Sequence, residues 1–346
     1  MNIPAKPWKG PGLPRRILAI RIQAMGDLVA CLPYLQHLRN TLPPSVRLDL
    51  LTRKEVDPIP RSIHLFDHIY SIGGGRDFKK IWAHALLQLP KLFIRRYDVV
   101  LDLQNNVLSK VVRKTLLPKA WCVFDKYSPI AAGERYRLTI EAVGLGQNKA
   151  DNRFRLINAE RGRAILKDNG WNETDALVVL NPAAAFVTRN WDLDNYAAFA
   201  RRWLTAFPQT RFLVMGTSFI AAKADFLKTQ LGERLINLVE RTTPSEAFAI
   251  LQQVKLVLSE DSGLMHMAWC SGIPTMALLG GTRSDRARPL GEHTFFLDSS
   301  DLPCGGCMQA VCKFGDVHCM TRISPEQVFR HACSLVQKVS KAVTVE

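Results

Sequence analysis

The sequence lacks any apolar run long enough to cross a membrane, and it lacks two common nucleotide-binding motifs. No stretch approaches the roughly 18 apolar residues that a transmembrane helix needs. Neither G-x-G-x-x-G nor G-x-x-x-x-G-K-[ST] occurs, which disfavours dinucleotide oxidoreductases and P-loop enzymes. The residues before Ile17 include basic side chains but no apolar signal-peptide core. We therefore expect a cytoplasmic protein.

Acidic residues are scarce, and the resulting positive charge is unevenly distributed. The 346 residues include 31 Asp and Glu against 46 Lys and Arg, a net charge of +15. Residues 1–150 hold 24 of the basic and 11 of the acidic residues, so the remainder is nearly neutral. A basic half attracts anionic partners. The alternative is that the basic surface only keeps the protein soluble. Aromatic residues do not alternate with the basic ones as in a base-stacking surface, so we expect no nucleic acid partner.

The chain is too long for one ordinary core, which predicts two domains. Strand-like apolar runs alternate with helical stretches, a pattern typical of parallel sheets built from βαβ units. The predicted strands are 17–22, 46–51, 97–103, 176–180, 211–215, 254–258 and 274–279. The pattern restarts after a helical stretch at 158–169, so we expect domains at 1–165 and 166–346. Two doubly wound lobes bind ligands at the carboxyl ends of their strands.

The segment RIQAMGDLVACLP places Asp27 between the first strand and a helix. A carboxylate at a strand's carboxyl end can take a proton from an attacking hydroxyl, whereas the simpler interpretation is a helix N-cap. Gly26 permits a tight turn. Pro33 means that the helix is kinked or begins only near Pro33.

Two segments in the second half are suited to binding a diphosphate. In SEDSGLMHMAWCSGIPT, a short helix opens at Asp261–Gly263, and its N-terminal amides form an anion site. His266 lies one turn into this helix; alternatively it is a half-buried helix residue, with Asp261 as a cap. After strand 176–180, a loop carries Thr188 and Arg189. A loop arginine can neutralise a leaving phosphate, or it can be an ordinary surface residue.

Four cysteines fall within sixteen residues in CGGCMQAVCKFGDVHC. In a reducing compartment, Cys304, Cys307, Cys312 and Cys319 predict a structural zinc or iron site. The alternative is a loop of free thiols. His318 is a further candidate ligand.

Taken together, these segments resemble glycosyltransferase family 9, the bacterial ADP-heptose:lipopolysaccharide heptosyltransferases. The resemblance covers roughly residues 16–342. The family's R-x4-G-D, D-[ST]-G-x2-H and G-I-P-T motifs match Arg21, Gly26, Asp27, Asp261, Ser262, Gly263, His266 and Gly272–Thr275. The cysteines followed by an I-[ST]-P-E-x-V segment at 323–328 resemble the heptosyltransferase II branch.

The resemblance implies a GT-B fold, two Rossmann-like doubly wound lobes facing a central cleft. Lobe 1–165 would hold the acceptor and lobe 166–346 the nucleotide sugar. Family members are inverting enzymes that need no catalytic metal. Asp27 corresponds to the catalytic base, with Arg21 and Gly26 on the acceptor side. The donor and its phosphates would lie near Thr188, Arg189, Asp261, Ser262, Gly263 and His266.

The implied reaction moves a heptose from an ADP-sugar to a lipopolysaccharide core or a similar anionic glycan. The implied location is the cytoplasm, with peripheral contact at the inner face of the membrane. Gly280–Gly281–Thr282 replaces the family's usual G-P-T, and no acidic residue follows the strand near Gly216. These departures keep other nucleotide-sugar donors open. A nucleotide-sugar epimerase and a non-catalytic sugar-nucleotide-binding protein are the remaining alternatives.

Overall fold

The computed structural model describes residues 3–343. The chain divides into two compact units, one ending at Ile157 and the other beginning at Asn158. Each unit holds a six-stranded sheet with helices, which confirms the predicted α/β class. In the described residues, no helix is both long and apolar enough to span a bilayer.

The first unit is built on a sheet in the order β1-β6-β5-β2-β3-β4. Its strands are β1 (Ala5–Lys6), β2 (Arg16–Ile20), β3 (Arg47–Arg53), β4 (His68–Ile72), β5 (Val99–Asp102) and β6 (Ala120–Val123). Its helices are α1 (Met25–Thr41), α2 (Pro58–Arg61), α3 (Phe78–Arg95), α4 (Val107–Thr115) and α5 (Ala132–Glu141). β1 pairs antiparallel to β6, and the other neighbours pair in parallel.

The second unit has an entirely parallel sheet in the order β12-β11-β10-β7-β8-β9. Its strands are β7 (Ala176–Asn181), β8 (Thr210–Val214), β9 (Leu235–Asn237), β10 (Val254–Glu260), β11 (Thr275–Leu279) and β12 (Thr294–Asp298). Its helices are α6 (Ala159–Asp168), α7 (Leu193–Ala206), α8 (Ala221–Leu231), α9 (Pro244–Leu251), α10 (Gly263–Cys270), α11 (Ser284–Ala287), α12 (His318–Thr321) and α13 (Pro325–Val343).

Each sheet reverses its winding direction at one point, and that point predicts where ligands bind. In the first sheet the strand order reverses between β2 and β5, and in the second between β7 and β10. In doubly wound sheets, ligands lie outside the carboxyl ends of the strands at this reversal. The segments after β2, β7 and β10 hold Asp27, Arg189 and Asp261.

Helix α6 belongs to the second unit, so the units divide at 157–158 and not at 165–166. The reason is close packing of α6 against α9. A Cβ atom built on Gly162 would lie only 2.6 Å from the carbonyl carbon of Ala249. Only glycine, which has no Cβ atom, allows the two helices to approach this closely. This contact makes α6 part of the second unit.

Candidate active site

Asp27 lies in the first turn of α1, just beyond the carboxyl end of β2. Its side chain remains 46% exposed, and one carboxylate oxygen lies 2.5 Å from an Arg21 guanidinium nitrogen. Ala24, and not Asp27, occupies the N-cap position. Asp27 is therefore held in place by an arginine while part of its carboxylate faces solvent.

Helix α1 begins at Met25 and continues through Pro33 to Thr41. The alternative start near Pro33 is therefore wrong. The chain turns before the helix, where a cis peptide bond joins Gln23 and Ala24. Gly26 lies within the first helical turn and does not form the turn that precedes it.

The Arg21 guanidinium is buried and is oriented by its neighbours. The residue is 4% exposed, and one of its nitrogens donates to the carbonyl oxygen of Leu103 at 2.6 Å. The rings of Phe124 and Tyr136 lie at 5.7 and 5.6 Å from the guanidinium carbon. The two rings stack on each other at 4.4 Å, and Arg21 is buried beside this pair. Burial leaves the side chain little freedom, so Arg21 orients Asp27 with small entropic cost.

Gln104 fixes the turn before Asp27 from the neighbouring strand. Its side-chain oxygen accepts hydrogen bonds from the backbone N–H groups of Ile22 at 2.8 Å and Gln23 at 2.9 Å. Gln104 itself is 6% exposed and follows β5. Sequence reasoning missed this residue, and its position directly after the strand DVVLDL was the available signal.

The opening of α10 is organised by Ser262 and Asn181. Ser262, and not Asp261, is the N-cap, and its hydroxyl accepts from the N–H of Met265 at 3.3 Å. The amide of Asn181, at the end of β7, donates to the hydroxyls of Ser262 and Ser259 at 2.7 Å each. A Cβ atom on Gly263 would meet nothing within 4 Å. The first amides of this helix thus border open space, as an anion site requires.

Arg189 and Asp261 form an ion pair at 3.0 Å. Asp261 also accepts a hydrogen bond from the hydroxyl of Thr282 at 2.8 Å. The Arg189 guanidinium carbon lies 4.7 Å from the centre of the Phe186 ring. Asp261 therefore fixes the arginine that is predicted to meet the phosphates, as Arg21 fixes Asp27 in the first unit.

Thr188 connects the Arg189 loop to the Gly280–Gly281 turn. Thr188 is 1% exposed, and its hydroxyl donates to the carbonyl of Gln309 at 2.5 Å. Its own carbonyl accepts from the N–H of Gly281 at 2.8 Å. Proline has no N–H to donate, so Gly281 makes a bond here that the family's proline could not make. Within the structure, Thr188 holds the loop and does not present its hydroxyl to solvent.

His266 lies half-buried in α10. The indole N–H of Trp269 donates to its Nδ1 at 3.0 Å, which orients the ring. The proton of a neutral His266 then resides on Nε2.

Glu260 is a buried carboxylate that sequence reasoning missed. It is 0% exposed and accepts from the backbone N–H groups of Ala184 at 2.9 Å and Trp191 at 2.7 Å. These amides flank the loop that carries Arg189. Burial raises the pKa of Glu260 to about 7, although both amides and the nearby Lys223 favour the carboxylate. An acidic residue ending an apolar strand, VKLVLSE, was the available signal.

The four clustered cysteines do not form the predicted metal site. Across residues 3–343, no three His, Cys, Asp or Glu side chains are grouped so that they could hold a metal ion. The thiol of Cys319 donates to the Thr188 carbonyl at 3.6 Å, and that of Cys312 to Asp316 at 3.8 Å. Burial raises the pKa of Cys319, and the neighbouring thiols raise it further. The thiols of Cys312 and Cys319 thus form hydrogen bonds to other groups.

Comparison with known proteins gives the family. A model of glycosyltransferase family 9 (heptosyltransferase) matches residues 116–318, more than half of the chain. Lipooligosaccharide heptosyltransferase 2 of Campylobacter jejuni is 29% identical over 168 residues, covering 46% of this chain and 50% of that protein. Lipopolysaccharide heptosyltransferase 1 of Pseudomonas aeruginosa is 22% identical over 347 residues, covering 90% of this chain and 96% of that protein. The chain thus spans half of the first relative and nearly all of the second.

A solved structure gives the fold. The ADP-heptose lipopolysaccharide heptosyltransferase II of E. coli matches with a TM-score of 0.73 and 16% identity, over 94% of this chain and 99% of that one. Identity this low shows a shared fold, here GT-B, and nothing further. Because the family model matches more than half of the chain, the chain belongs to glycosyltransferase family 9.

Proposed function

We propose that this enzyme transfers a heptose from ADP-heptose to a lipopolysaccharide-type core with inversion at the anomeric carbon. The observation that carries the proposal is the half-exposed Asp27 carboxylate beyond β2, held by the buried Arg21. Two relatives carry heptosyltransferase names, and the matching E. coli structure carries ADP-heptose in its name. These names support the choice of sugar and nucleotide.

The proposed reaction is a single displacement in which Asp27 is the general base. An acceptor oxygen attacks the anomeric carbon and forms the glycosidic bond, while the bond from that carbon to the phosphate oxygen breaks. The acceptor proton passes to Asp27, and ADP leaves with the electron pair. A positioned base of this kind contributes about 10²–10⁴-fold to the rate.

The leaving group is stabilised by groups of the second unit. Arg189 and the opening amides of α10 at Ser262–Gly263 meet the charge that develops on the diphosphate. Asp261 orients Arg189, and Thr188 fixes the loop that carries it. His266, one turn into α10, contributes to binding of the nucleotide sugar. In this scheme, protein groups stabilise the negative charge on the departing diphosphate.

The acceptor is assigned to the first unit, around Arg21 and Gly26. The first unit is strongly basic, which favours a phosphorylated glycan. A lipid-linked acceptor of this kind is reached at a membrane surface, so we place the enzyme in the cytoplasm at the inner face of the membrane.

The test is release of nucleoside diphosphate from a panel of nucleotide sugars, with and without truncated lipopolysaccharide core. We expect release only when ADP-heptose and core are both present. Release with another nucleotide sugar would overturn the heptose assignment alone. Turnover of the donor without acceptor would indicate an epimerase. Donor binding without turnover under any condition would indicate a non-catalytic protein.

The same assay tests the base. Asp27→Asn keeps the size of the side chain but removes the proton acceptor, so transfer should fall by about 10²–10⁴-fold with donor affinity unchanged. Glu134→Gln in α5 of the same unit is the control and should keep the wild-type rate. Full activity in the Asp27→Asn variant would exclude Asp27 as the base.

A further inference from the structure

Helix α3 exposes an apolar face that no other described element covers. Of its 18 residues, only Ala85 and Leu92 are buried. Leu86, Leu87, Phe93 and Ile94 remain 53%, 69%, 54% and 77% exposed. Leu86 and Phe93 are seven residues apart, as are Leu87 and Ile94, so the four share one face over two turns. Apolar residues concentrated in this way mark an interaction surface.

A basic stripe runs beside this apolar face. Lys80, His84, Lys91 and Arg95 follow one another at intervals of four, seven and four residues, which aligns them along α3. The helix sequence FKKIWAHALLQLPKLFIR contains no Asp or Glu. An apolar face bordered by cations, with no acidic residue, is typical of helices that lie in a membrane interface.

A basic pocket continues the surface at the end of α3. This cavity of about 840 Å³ is lined by Phe93, Arg95 and Arg96, and further by Arg15, Arg16 and Lys119. Asp98 is the acidic residue among those lining it, and it pairs with Lys119 at 3.0 Å. Arg16 is the first residue of β2, so the pocket lies at the amino ends of the strands. Asp27 lies at the opposite edge of the sheet, beyond the carboxyl ends.

The exposed side chains Leu13 and Leu117 also line the pocket, and both are more than half exposed. Apolar and cationic groups are therefore mixed over the whole surface formed by α3 and the pocket. The cations are suited to phosphate groups and the apolar side chains to acyl chains.

We propose that α3 and the basic pocket bind a bilayer surface that carries anionic phospholipids. The stripe of Leu86, Leu87, Phe93 and Ile94 enters the boundary between headgroups and acyl chains. Lys80, Lys91 and the pocket arginines pair with lipid phosphates. A second copy of the chain fits this face poorly, because symmetric pairing would bring together two sets of cations that outnumber the neighbouring acidic residues Asp77 and Asp98.

The inference concerns a surface separate from the candidate active site and does not depend on the identity of the donor. Each cation near an anionic leaflet contributes about fivefold to binding. The apolar side chains add binding in proportion to the area that they bury. Binding should consequently require both negative lipid charge and the apolar stripe.

The experiment is sedimentation of the full chain with vesicles of phosphatidylcholine alone, or of phosphatidylcholine and phosphatidylglycerol in equal parts. The wild-type protein should bind the mixed vesicles and not the neutral ones. Lys80→Gln with Lys91→Gln should weaken binding about 25-fold. Leu87→Ser with Ile94→Ser should weaken it at least about tenfold.

The matched control is Lys255→Gln with Arg330→Gln, which removes two exposed cations from the second unit and should leave binding unchanged. All variants should retain the wild-type rate on a soluble, lipid-free acceptor fragment, which separates this test from that of the proposed function. Equal losses in the α3 and control variants would overturn the proposal, as would equal binding to neutral vesicles. Failure to bind vesicles, together with a dimer that Leu87→Ser and Ile94→Ser abolish, would assign the face to a second copy.

Discussion

At the scale of single residues, each unit fixes one carboxylate–arginine pair beyond the strands where its sheet reverses. Arg21 meets Asp27 at 2.5 Å and Arg189 meets Asp261 at 3.0 Å. The Asp27 side chain is 46% exposed and that of Asp261 15%. The more exposed carboxylate suits proton transfer with an incoming hydroxyl, whereas the more enclosed one suits orientation of its arginine.

Glu260 gives a prediction about pH. Its pKa is about 7 in the folded protein, above the ordinary value of 4.5. The folded state therefore holds this proton more tightly, so the stability that it contributes is full below pH 4.5 and is lost as pH rises through 7. Glu260→Gln cannot titrate and leaves one of two buried N–H groups facing an amide NH₂. The free energy of unfolding should fall by about 1–3 kcal/mol, and by more at pH 5 than at pH 8.

Denaturant titration at these two pH values measures this effect. The control is Glu233→Gln, because the Glu233 side chain is 94% exposed and should change stability by less than about 0.5 kcal/mol. Since Glu260 positions the Arg189 loop, the Glu260→Gln variant should also raise KM for the donor more than it lowers kcat. A stability loss that is the same at pH 5 and pH 8 would contradict proton binding by Glu260.

At the scale of elements, the hydrophobic pattern predicted the central strands and helix α6. Predicted strands 176–180 and 254–258 correspond to β7 and β10, and the predicted helical stretch 158–169 corresponds to α6. The missed strands β1, β6 and β9 have two to four residues, and β4 and β12 lie at sheet edges. Short segments and half-exposed edge segments show little hydrophobic periodicity, so the sequence does not reveal them. They become strands because they pair with a neighbouring strand in the folded sheet.

The α6–α9 contact yields a prediction at this scale. Gly162→Val adds a branched side chain where a Cβ atom alone would lie 2.6 Å from the backbone of Ala249. The two helices must separate, so the free energy of unfolding should fall by about 1–3 kcal/mol. Ala164→Val on the exposed side of α6 is the control and should cost only its helix propensity, below about 0.7 kcal/mol. Equal losses in both variants would show that packing at Gly162 is unimportant.

At the scale of the whole molecule, two sheets of similar strand order differ sharply in charge. Both reverse winding at the first strand of their doubly wound portion, β2 and β7. Residues 1–150 carry a surplus of 24 minus 11, or 13 positive charges, whereas the remainder carries 22 minus 20, or 2. This asymmetry matches the division of labour that we propose between an anionic acceptor and a nucleotide donor.

The charge asymmetry predicts unequal responses to salt. Raising ionic strength shortens the Debye length from about 10 Å at 0.1 M to about 3 Å at 1 M. KM for a phosphorylated core should therefore rise several-fold over this range, and KM for the nucleotide sugar should rise less. Steady-state kinetics with one substrate varied at a time measures both, and a dephosphorylated core is the control. Equal salt dependence with both cores would contradict an electrostatic role for the first unit.

The sequence by itself determined the α/β class, the two-unit organisation and the segments that hold Asp27, Arg189 and Asp261. Local periodicity and short motifs carry this information because they depend on neighbouring residues. Only the tertiary structure decided that Arg21 pairs with Asp27, that Gln104 holds the turn before it, and that Glu260 holds the Arg189 loop. Gln104 lies 82 residues from Ile22 and Glu260 lies 69 from Trp191. These two contacts arise because neighbouring parallel strands bring their carboxyl ends to one edge of a sheet.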